Sequence, residues 1–260
     1  MATDFEARLA DFCQTILVRG DVVVDVGAHL GRHTVPFARA VGPSGKVIAF
    51  EPIPHINGQL QQILRDQAAA RPMAPVRLYD VALGPAREQT TFVVVPQYPE
   101  YSGLQERTYD QGEDVERHRI PIQVEVLDDL LSHEPRIDLV KIDTEGGEFG
   151  VLCGATRILD EQRPVVTFEC GDNSLVHYEH TAGDLFDLLA NHGYRVENIN
   201  RQPLNRSAFV GSSREQLVWD YLAFPVEWSP TAVSARRRVA TFGSKARRGA
   251  SRLRRKVSPF

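Results

Sequence analysis

Four carboxylates in the sequence stand where a predicted β-strand ends. Asp25, Glu51, Asp143 and Glu169 each end or directly follow a short run of β-branched and apolar residues. The carboxyl ends of parallel strands lie at one edge of a sheet, which is where open α/β sheets bind ligands. The four groups are therefore expected on one rim, where carboxylates can accept hydrogen bonds from hydroxyls, hold a cation or take up a proton.

A glycine turn follows the first of these carboxylates. Residues 21–31 read DVVVDVGAHLG, and Glu51 comes after them at about the 20-residue spacing of nucleotide-binding folds. Glycines let the backbone approach a ligand at a helix N-terminus, and an acid at that spacing suits the hydroxyls of a ribose. Dinucleotide enzymes carry G-x-G-x-x-G, whereas this turn has Gly27-x-x-x-Gly31. The pattern favours a nucleoside cofactor without a pyrophosphate; a purely structural glycine turn and an NAD-dependent oxidoreductase are the alternatives.

A second motif makes the class of protein more specific. Residues 139–155 read LVKIDTEGGEFGVLCGA, which is similar to the signature of the FkbM methyltransferase family, K-I-D-x-E-G-x-E-x-x-V-L-x-G-A. The glycine turn resembles the first motif of class I S-adenosylmethionine methyltransferases, and further matching stretches extend the resemblance over about residues 10 to 225. The resemblance implies S-adenosyl-L-methionine as the cofactor and a class I, Rossmann-like fold.

The glycine turn departs from the family pattern at three positions. The family turn commonly reads G-A-N-x-G followed by an aromatic pair, whereas this chain has His29 for the asparagine and Arg32-His33 for the aromatics. These residues lie beside the expected cofactor, so they could alter its contacts or the access of the substrate. His29 and His33 are expected to line the cofactor pocket or cap the next helix rather than to act as bases.

The resemblance assigns expected cofactor contacts. Glu51 would accept hydrogen bonds from the ribose hydroxyls, and the backbone around Ala82 would frame the adenine. The expected cofactor-binding residues are Asp25, Gly27, Ala28, Gly31, Glu51 and Ala82.

Methyl transfer to oxygen needs a group that takes the proton of the acceptor, a metal ion, or both. Asp143 is the first candidate, as general base or as a ligand of Mg²⁺, and an ion pair with Lys141 is its structural alternative. Glu145 and His177 are the other catalytic candidates. Glu148 is expected to bind free amides at a helix start.

A metal site is the second part of this prediction. Asp143 and Glu169 are its expected ligands, with Asp172-Asn173 completing an oxygen-rich Mg²⁺ site. His180 follows His177 and has the same position after the fifth strand of the expected sheet, where a base on the acceptor side would lie.

The predicted fold is α/β, a mostly parallel doubly wound sheet with an added β-hairpin. Predicted strands are Val22–Val26, Val47–Phe50, Val76–Val81, Val140–Asp143, Val165–Glu169, Arg195–Ile199 and Trp219–Phe224, the last two as a terminal hairpin. Predicted helices are Thr34–Val41, Ile56–Ala70, Glu148–Leu159 and Ala182–His192. The inserted strands are Gln89–Val95 and Ile120–Val126, and the polar residues 96–119 between them are interpreted as a substrate-side flap or a loosely ordered insertion.

Charge divides the chain into a methyltransferase domain, residues 1–228, and a basic tail, residues 229–260. The tail holds ten Lys or Arg and no acid, which leaves 20 basic and 34 acidic residues, a net charge of −14, in the domain. The tail could contact an anionic membrane peripherally, fold onto the acidic domain or remain a solvated extension. Nucleic acid is less favoured because the tail has few aromatic residues.

The chain has 260 residues, and 42% of them are hydrophobic. This length and composition suit one domain with a full hydrophobic core. Cys13, Cys153 and Cys170 are scattered and are expected as buried thiols in a reducing compartment. No secretion signal or membrane-length apolar run is visible, so a cytoplasmic location is expected. The Ala- and Arg-rich composition suggests a bacterial source.

These observations predict an S-adenosylmethionine-dependent O-methyltransferase of the FkbM type. A hydroxyl of a sugar, a glycan or a natural product is the acceptor that the resemblance implies. A non-catalytic protein with the same cofactor fold, tethered by its basic tail, is the alternative from another class.

Overall fold

A computed structural model of the chain describes residues 5–98, 102–105, 116–175 and 178–229. Its strands are β1 Val22–Val26, β2 Lys46–Phe50, β3 Val76–Tyr79, β4 Ala82–Leu83, β5 Glu88–Val94, β6 His118–Glu125, β7 Leu139–Ile142, β8 Val165–Glu169, β9 Tyr194–Asn198, β10 Pro203–Leu204 and β11 Asp220–Pro225. Its α-helices are α1 Phe5–Ile16, α2 Thr34–Val41, α3 Pro54–Ala70, α4 Leu127–Leu130, α5 Glu148–Cys153, α6 Asp172–Leu175, α7 Ala182–Asn191 and α8 Arg206–Glu215.

Within the described residues, the main sheet has eight strands in the order β10-β9-β11-β8-β7-β1-β2-β3. Five neighbouring strands of this sheet run parallel, namely β8, β7, β1, β2 and β3. In contrast, β11 is antiparallel to both β8 and β9. This order confirms the predicted class I methyltransferase fold. Because β1 is central, with β2 and β7 as neighbours, its carboxyl end lies at the point where the strand order reverses and ligands bind.

Burial explains why the predicted parallel strands are the ones that form. Val23 and Val24 in β1 and Ile48 in β2 are fully buried, as expected for strands covered by helices on both faces. Each fully buried side chain of this size contributes about 1.5 to 3 kcal/mol relative to an exposed one. The apolar runs therefore fix the register of the strands and place the polar residues that follow them at the rim.

A second, three-stranded sheet covers one side of that rim. β5 and β6 pair antiparallel, which confirms the predicted insertion, and β4 joins β6 in parallel. Its inner face forms a separate hydrophobic cluster with Ile53 and Ile56, the residues that begin α3. The insertion is therefore anchored next to the carboxyl end of β2.

The structure corrects several predicted boundaries. The third strand ends at Tyr79, and Ala82–Leu83 belongs to the small sheet as β4. The helix predicted over Glu148–Leu159 stops at Cys153 and resumes as a π-helical turn, Ile158–Gln162. Gly154 lies between the two segments, and a Cβ atom there would come within 2.3 Å of the carbonyl oxygen of Gly84, so this close approach bends the chain.

The last two predicted strands pair, but they do not form a simple hairpin. β9 and β11 are antiparallel neighbours, and β10 with α8 lies between them in the chain. β11 thereby enters the sheet between β8 and β9. Neither α1 nor α8 was predicted from the sequence.

Two predicted segments lie largely outside the described residues. Within the predicted flap, the structure describes residues 96–98, 102–105 and 116–119, and Gly103 bridges to Val93 of β5. The basic tail from residue 230 onward is also outside the described residues. Cys13 and Cys170 are buried, whereas Cys153 is only half-buried, so the expectation that all three thiols are buried was wrong for Cys153. In the described part of the chain, no helix has the length and apolar character needed to cross a membrane.

Candidate active site

A cavity of about 610 Å³ opens at the carboxyl ends of β1, β2, β7 and β8. Three of the four carboxylates expected on this rim line it: Glu51, Asp143 and Glu169. Gly27, Ala28 and Ala82, which were expected to bind the cofactor, line it as well. Helix α1, the insertion and the start of β11 supply the remaining walls.

The glycine turn is shaped by close approach of two strand ends. Gly27 has φ +78°, and a Cβ atom there would lie 1.8 Å from the carbonyl oxygen of Asp143. The amides of Gly27 and Ala28 both donate to the carbonyl oxygen of Phe50, at 3.1 and 3.0 Å. The turn is therefore fixed against β2 and β7, and a side chain at position 27 cannot be accommodated.

Glu51 is held by backbone amides at the cavity wall. Its two carboxylate oxygens accept from the amides of His29 and Ile53, both at 2.9 Å, and the side chain is 4% exposed. Burial raises the pKa of Glu51 to about 7, although the two amides act in the opposite direction. The carboxylate is oriented before any ligand arrives, and its further lone pairs can accept from hydroxyls.

Asp25 and Gly31, which were expected to bind the cofactor, do not line the cavity. Asp25 is fully buried and accepts a hydrogen bond of 2.6 Å from the hydroxyl of Thr34, at the start of α2. Its other oxygen lies 3.7 Å from the Lys141 ammonium, so a cationic partner inside the protein fills the role that the sequence suggested for a ligand. Gly31, at φ +81°, closes the turn with a hydrogen bond to Ala28.

Lys141 connects Asp25 with the acceptor side of the cavity. Its ammonium donates to Asp143 at 3.0 Å and is almost fully buried. Burial alone would lower the pKa of Lys141, but the negative charges of Asp143 and Asp25 outweigh it and raise the pKa. The ion pair that was the structural alternative for Asp143 is thus present.

Asp143 and Glu169 shift each other's pKa in opposite directions. Burial would raise the pKa of Asp143, but the charge of Lys141 and the hydrogen bonds from Lys141 and Glu169 lower it. Burial, together with the charges of Glu145 and Asp143, raises the pKa of Glu169 well above its usual range. Of the two carboxyl groups, Glu169 therefore favours the protonated form and Asp143 the ionised form.

Three carboxylates could approach one cation. One oxygen each from Asp143, Glu145 and Glu169 lies within 4.8 Å of the others. Glu145 thus takes the place that Asp172 was expected to fill. Asp172 accepts a hydrogen bond of 2.8 Å from Ser213, which directs it toward α8.

The second glutamate of this motif, Glu148, has a structural role. Glu145 has φ +57° and Gly146 has φ +107°, so the chain turns sharply before α5. Glu148 is buried and accepts from the amides of Thr144 and Gly146, at 2.8 and 3.0 Å, as predicted. This turn presents Glu145 at the cavity wall.

The structure describes one of the two histidines expected after β8. His177 lies outside the described residues. His180 does not line the cavity and stacks on Phe149, with ring centroids 4.7 Å apart. Burial lowers the pKa of His180.

Several cavity residues were missed by the sequence analysis. Phe5, Glu6 and Leu9 of α1 form one wall, and Trp219 and Asp220 at the start of β11 form another. Burial, together with the charge of Asp143, raises the pKa of Asp220 to about 7. The spacing of buried apolar residues at positions 9, 12, 13 and 16 is a helix signal that could have revealed α1.

The cavity wall combines apolar and charged residues. Ile53, Ala82, Phe92 and Leu104 make an apolar portion that belongs to the cluster under the small sheet. Glu51 and the charged group of Lys141, Asp143 and Glu169 line the same cavity. An apolar surface, a carboxylate and a charged region match an aromatic base, a sugar diol and an amino acid joined in one ligand.

Comparison with known proteins identifies the family of this chain. A sequence model described as the Methyltransferase FkbM domain matches residues 25–196. This match spans the glycine turn, the small sheet, the Asp143 motif and β8.

Two curated relatives and one solved structure resemble the chain. AMB antimetabolite synthetase AmbE of Pseudomonas aeruginosa is 30% identical over 207 residues, which cover 67% of this chain and only 10% of AmbE. Methyltransferase 1 of Beauveria bassiana is 27% identical over 192 residues, 67% of this chain and 72% of the relative. The structure of Methyltransferase FkbM from Methylobacillus flagellatus has 18% identity and a TM-score of 0.47, covering 86% of this chain and 56% of its own.

Proposed function

Because the chain belongs to the FkbM family of S-adenosylmethionine-dependent methyltransferases, we propose that it methylates a hydroxyl oxygen of a sugar, a glycan or a natural product. The main observation in favour of the cofactor site is that two backbone amides fix the carboxylate of Glu51. This carboxylate lines a cavity that has both apolar and charged residues in its wall. When bound, S-adenosylmethionine supplies an electrophilic methyl group on a sulfonium.

The cofactor fits the residues that line the cavity. Gly27 and Ala28 let the backbone pass close to the ligand, and Glu51 would accept the ribose hydroxyls. The backbone of Ala82, with Ile53 and Phe92 beside it, would enclose the adenine. Asp25 and Gly31 contribute indirectly, because they hold the turn and the buried Lys141 in place.

Asp143 is proposed to hold the acceptor hydroxyl. It is ionised, it lines the cavity, and Lys141 fixes one of its oxygens at 3.0 Å. An oriented carboxylate accepts the hydrogen bond of the hydroxyl and aligns its oxygen with the methyl carbon, and alignment of this kind supplies several kcal/mol of rate enhancement. Glu145, beside it, completes the polar surface for the acceptor.

Mg²⁺ is a second way in which this group could activate the acceptor. The approach of Asp143, Glu145 and Glu169 within 4.8 Å suits a small cation that prefers carboxylate oxygens. A cation there would favour the ionised form of Glu169. Activity that survives a chelator and is unchanged by added Mg²⁺ would exclude this variant of the mechanism.

The acceptor class is supported by the relatives. AmbE carries the name of an antimetabolite synthetase, and the matching segment is about a tenth of its length. We therefore include hydroxylated natural products beside sugars in the acceptor screen.

Calorimetric titration of the purified chain tests the proposed cofactor. S-adenosylhomocysteine should bind with micromolar affinity, NAD should not bind, and Glu51→Ala should weaken the first by about 100-fold, because two charge-assisted hydrogen bonds are lost. Glu88→Ala, at an exposed position on β5, is the matched control. Binding of NAD instead, or of neither ligand, would overturn the proposal in favour of an oxidoreductase or a non-catalytic protein.

An acceptor screen with methyl-labelled S-adenosylmethionine then tests the reaction. Monosaccharides, oligosaccharides and hydroxylated natural products are offered with and without Mg²⁺. Transfer of label to a base-stable ether identifies O-methylation, whereas label on nitrogen or carbon contradicts it.

We also propose that the basic tail contacts an anionic membrane surface. Its ten Lys or Arg without an acid support this, since each basic residue near such a surface contributes about 1 kcal/mol. The catalytic domain carries a net charge of −14 and would itself be repelled, so the tail is the attracting element.

A further inference from the structure

His33 lies in the cavity wall at a position where the family commonly has an aromatic residue. It is 7% exposed and lines the cavity. Of the two roles expected for it, lining the pocket agrees with the structure; it directly precedes α2, but its side chain makes no capping hydrogen bond. Its ring packs near Phe37, with centroids 5.8 Å apart. The imidazole is thus buried in the site without a structural hydrogen bond to the helix.

Two charged residues orient this imidazole. Nε2 of His33 lies 3.6 Å from a carboxylate oxygen of Glu6 on α1, and the same oxygen lies 2.6 Å from the guanidinium of Arg32. The contact with His33 and the charge of Arg32 lower the pKa of Glu6, which is therefore ionised. At 3.6 Å the first contact is an ion-pair distance, and such contacts often tighten when a ligand is bound.

Two further acids of the cavity lining interact electrostatically with His33. A protonated His33 is close enough to lower the pKa of both Asp143 and Asp220. These two acids come from the end of β7 and the start of β11, and Glu6 comes from α1. His33 thus lines the same cavity as three carboxylates, Glu6, Asp143 and Asp220.

We propose that His33 is the catalytic residue that takes the proton of the acceptor hydroxyl, with Glu6 as its positioning residue. This inference rests on the proposed function. The acceptor oxygen forms a bond to the methyl carbon as the carbon–sulfur bond breaks, and the hydroxyl proton passes to Nδ1, because Nε2 faces Glu6. The products are the methyl ether, S-adenosylhomocysteine and an imidazolium paired with Glu6, which later releases its proton to water.

Asp143 and Glu169 are less suited to this step, whereas Asp220, whose pKa burial raises to about 7, is the competing base. Asp143 is held ionised by Lys141 and is therefore a weak proton acceptor, although a good hydrogen-bond acceptor. Burial and the neighbouring negative charges favour the protonated form of Glu169. Histidine is the side-chain type whose ordinary proton affinity suits a base at neutral pH.

Nuclear magnetic resonance of histidine-labelled full-length protein tests the placement without an acceptor. The signal missing in His33→Gln identifies the ring. With S-adenosylmethionine bound it should titrate about 0.5 to 1 pH unit lower than with S-adenosylhomocysteine, because the sulfonium opposes a second positive charge nearby. Glu6→Gln should lower the titration midpoint in both complexes, and His133, which is exposed and remote, is the internal control. Equal midpoints in the two complexes, unmoved by Glu6→Gln, would overturn the inference.

Kinetics with an acceptor from the screen give the second readout. His33→Gln should lower kcat by about 10² to 10³-fold and remove the acidic limb of its pH profile, while KM for S-adenosylmethionine changes less than about 3-fold. His33→Phe, the family type of residue, should fold and show the same loss. Glu6→Gln should shift the acidic limb with a smaller, about 10-fold loss.

The two proposals fail in different ways. If the parent protein does not bind S-adenosylhomocysteine, the proposed function fails. If it binds and transfers methyl groups, but His33→Gln matches His133→Gln in kcat, only the role of His33 is refuted. A large rise in KM for S-adenosylmethionine with unchanged kcat would assign His33 to cofactor binding instead.

Discussion

The charge needed on Glu51 for its proposed function conflicts with the burial of its side chain. It must be ionised to accept the hydroxyls of a ribose well, yet its burial favours the protonated form and raises its pKa to about 7. Two amides orient it without fully compensating for lost water. The unliganded protein therefore keeps a carboxylate that is poorly satisfied until the cofactor arrives.

The pH dependence of stability should reveal this conflict. Since the pKa of Glu51 is higher in the folded protein than its ordinary value of 4.5, its contribution to stability is fully present below pH 4.5 and is lost as pH rises through about 7. Glu51→Gln removes this charge. The unfolding free energy of the unliganded variant, measured relative to the parent, should therefore be about 2 kcal/mol higher at pH 8 than at pH 5. Urea unfolding at both pH values measures this, and a gain that is equal at the two values would contradict it.

Cofactor affinity should follow the opposite trend with pH. The parent should bind S-adenosylhomocysteine more weakly as pH falls below about 7, because the acceptor of the hydroxyl hydrogen bonds becomes protonated. The same calorimetric titrations at pH 5.5 and 8 test this. Glu51→Gln should bind weakly with little dependence on pH.

The role proposed for Asp143 predicts that its charge is needed for turnover and not for cofactor binding. Asp143→Asn keeps the shape of the side chain but removes the partner of Lys141 and the anionic acceptor for the hydroxyl. We expect kcat to fall by about 10³-fold or more while S-adenosylhomocysteine affinity changes less than about 3-fold. Asp129→Asn, exposed on α4, is the control, and full activity of Asp143→Asn would refute the assigned role.

At the scale of elements, the junction of β1 and β7 decides whether the site forms. Gly27→Ala would place a methyl group 1.8 Å from the carbonyl oxygen of Asp143 at a φ that disfavours alanine. We expect a loss of about 3 kcal/mol or more in unfolding free energy and no cofactor binding. Gly58→Ala is the matched control: it lies within α3, its added Cβ meets nothing within 4 Å, and it should stabilise the protein by about 0.5 to 1 kcal/mol. Similar unfolding midpoints for the two variants would contradict this account.

The elements also show what the sequence could predict. The buried parallel strands were recognisable because their apolar runs are continuous, and the glycine turn and the Asp143 motif placed Glu51 and Asp143 correctly on one rim. Helix α8 was missed because it is polar, although Asn205 before it caps the amide of Ala208, a recognisable start signal. Local patterns do not encode which remote element covers a cavity, so Glu6 and Asp220 could not be assigned to the site.

Asp25 is a second residue whose partner could not be identified from the sequence. Its place at the strand end predicted contact with a positive group, and such a group is there, but it is Lys141 from β7 rather than a ligand. Sequence spacing gave the chemistry of the residue correctly. Only the pairing of β1 with β7 shows which partner reaches it.

For the whole molecule, the contrast between the acidic domain and the basic tail gives a separable prediction. The full chain should sediment with vesicles containing about 30% phosphatidylserine at low salt and be released near 0.5 M salt, whereas residues 1–228 alone should not sediment. Both forms should bind S-adenosylhomocysteine equally. Neutral phosphatidylcholine vesicles are the lipid control, and preferential binding of duplex DNA by the full chain would favour a nucleic-acid role for the tail instead.

The position of β11 has a consequence for the newly made chain. This strand lies between β8 and β9, yet it follows both of them during synthesis, and it brings Asp220 to the cavity. At about 5 to 20 residues per second, a ribosome needs several seconds to pass from β8 to β11. Throughout that interval the edge of β8 is open to chaperones or to strands of other chains. An emerging polypeptide can thus complete the parallel half of its sheet early, but it becomes competent for chemistry only when its final strand has been inserted.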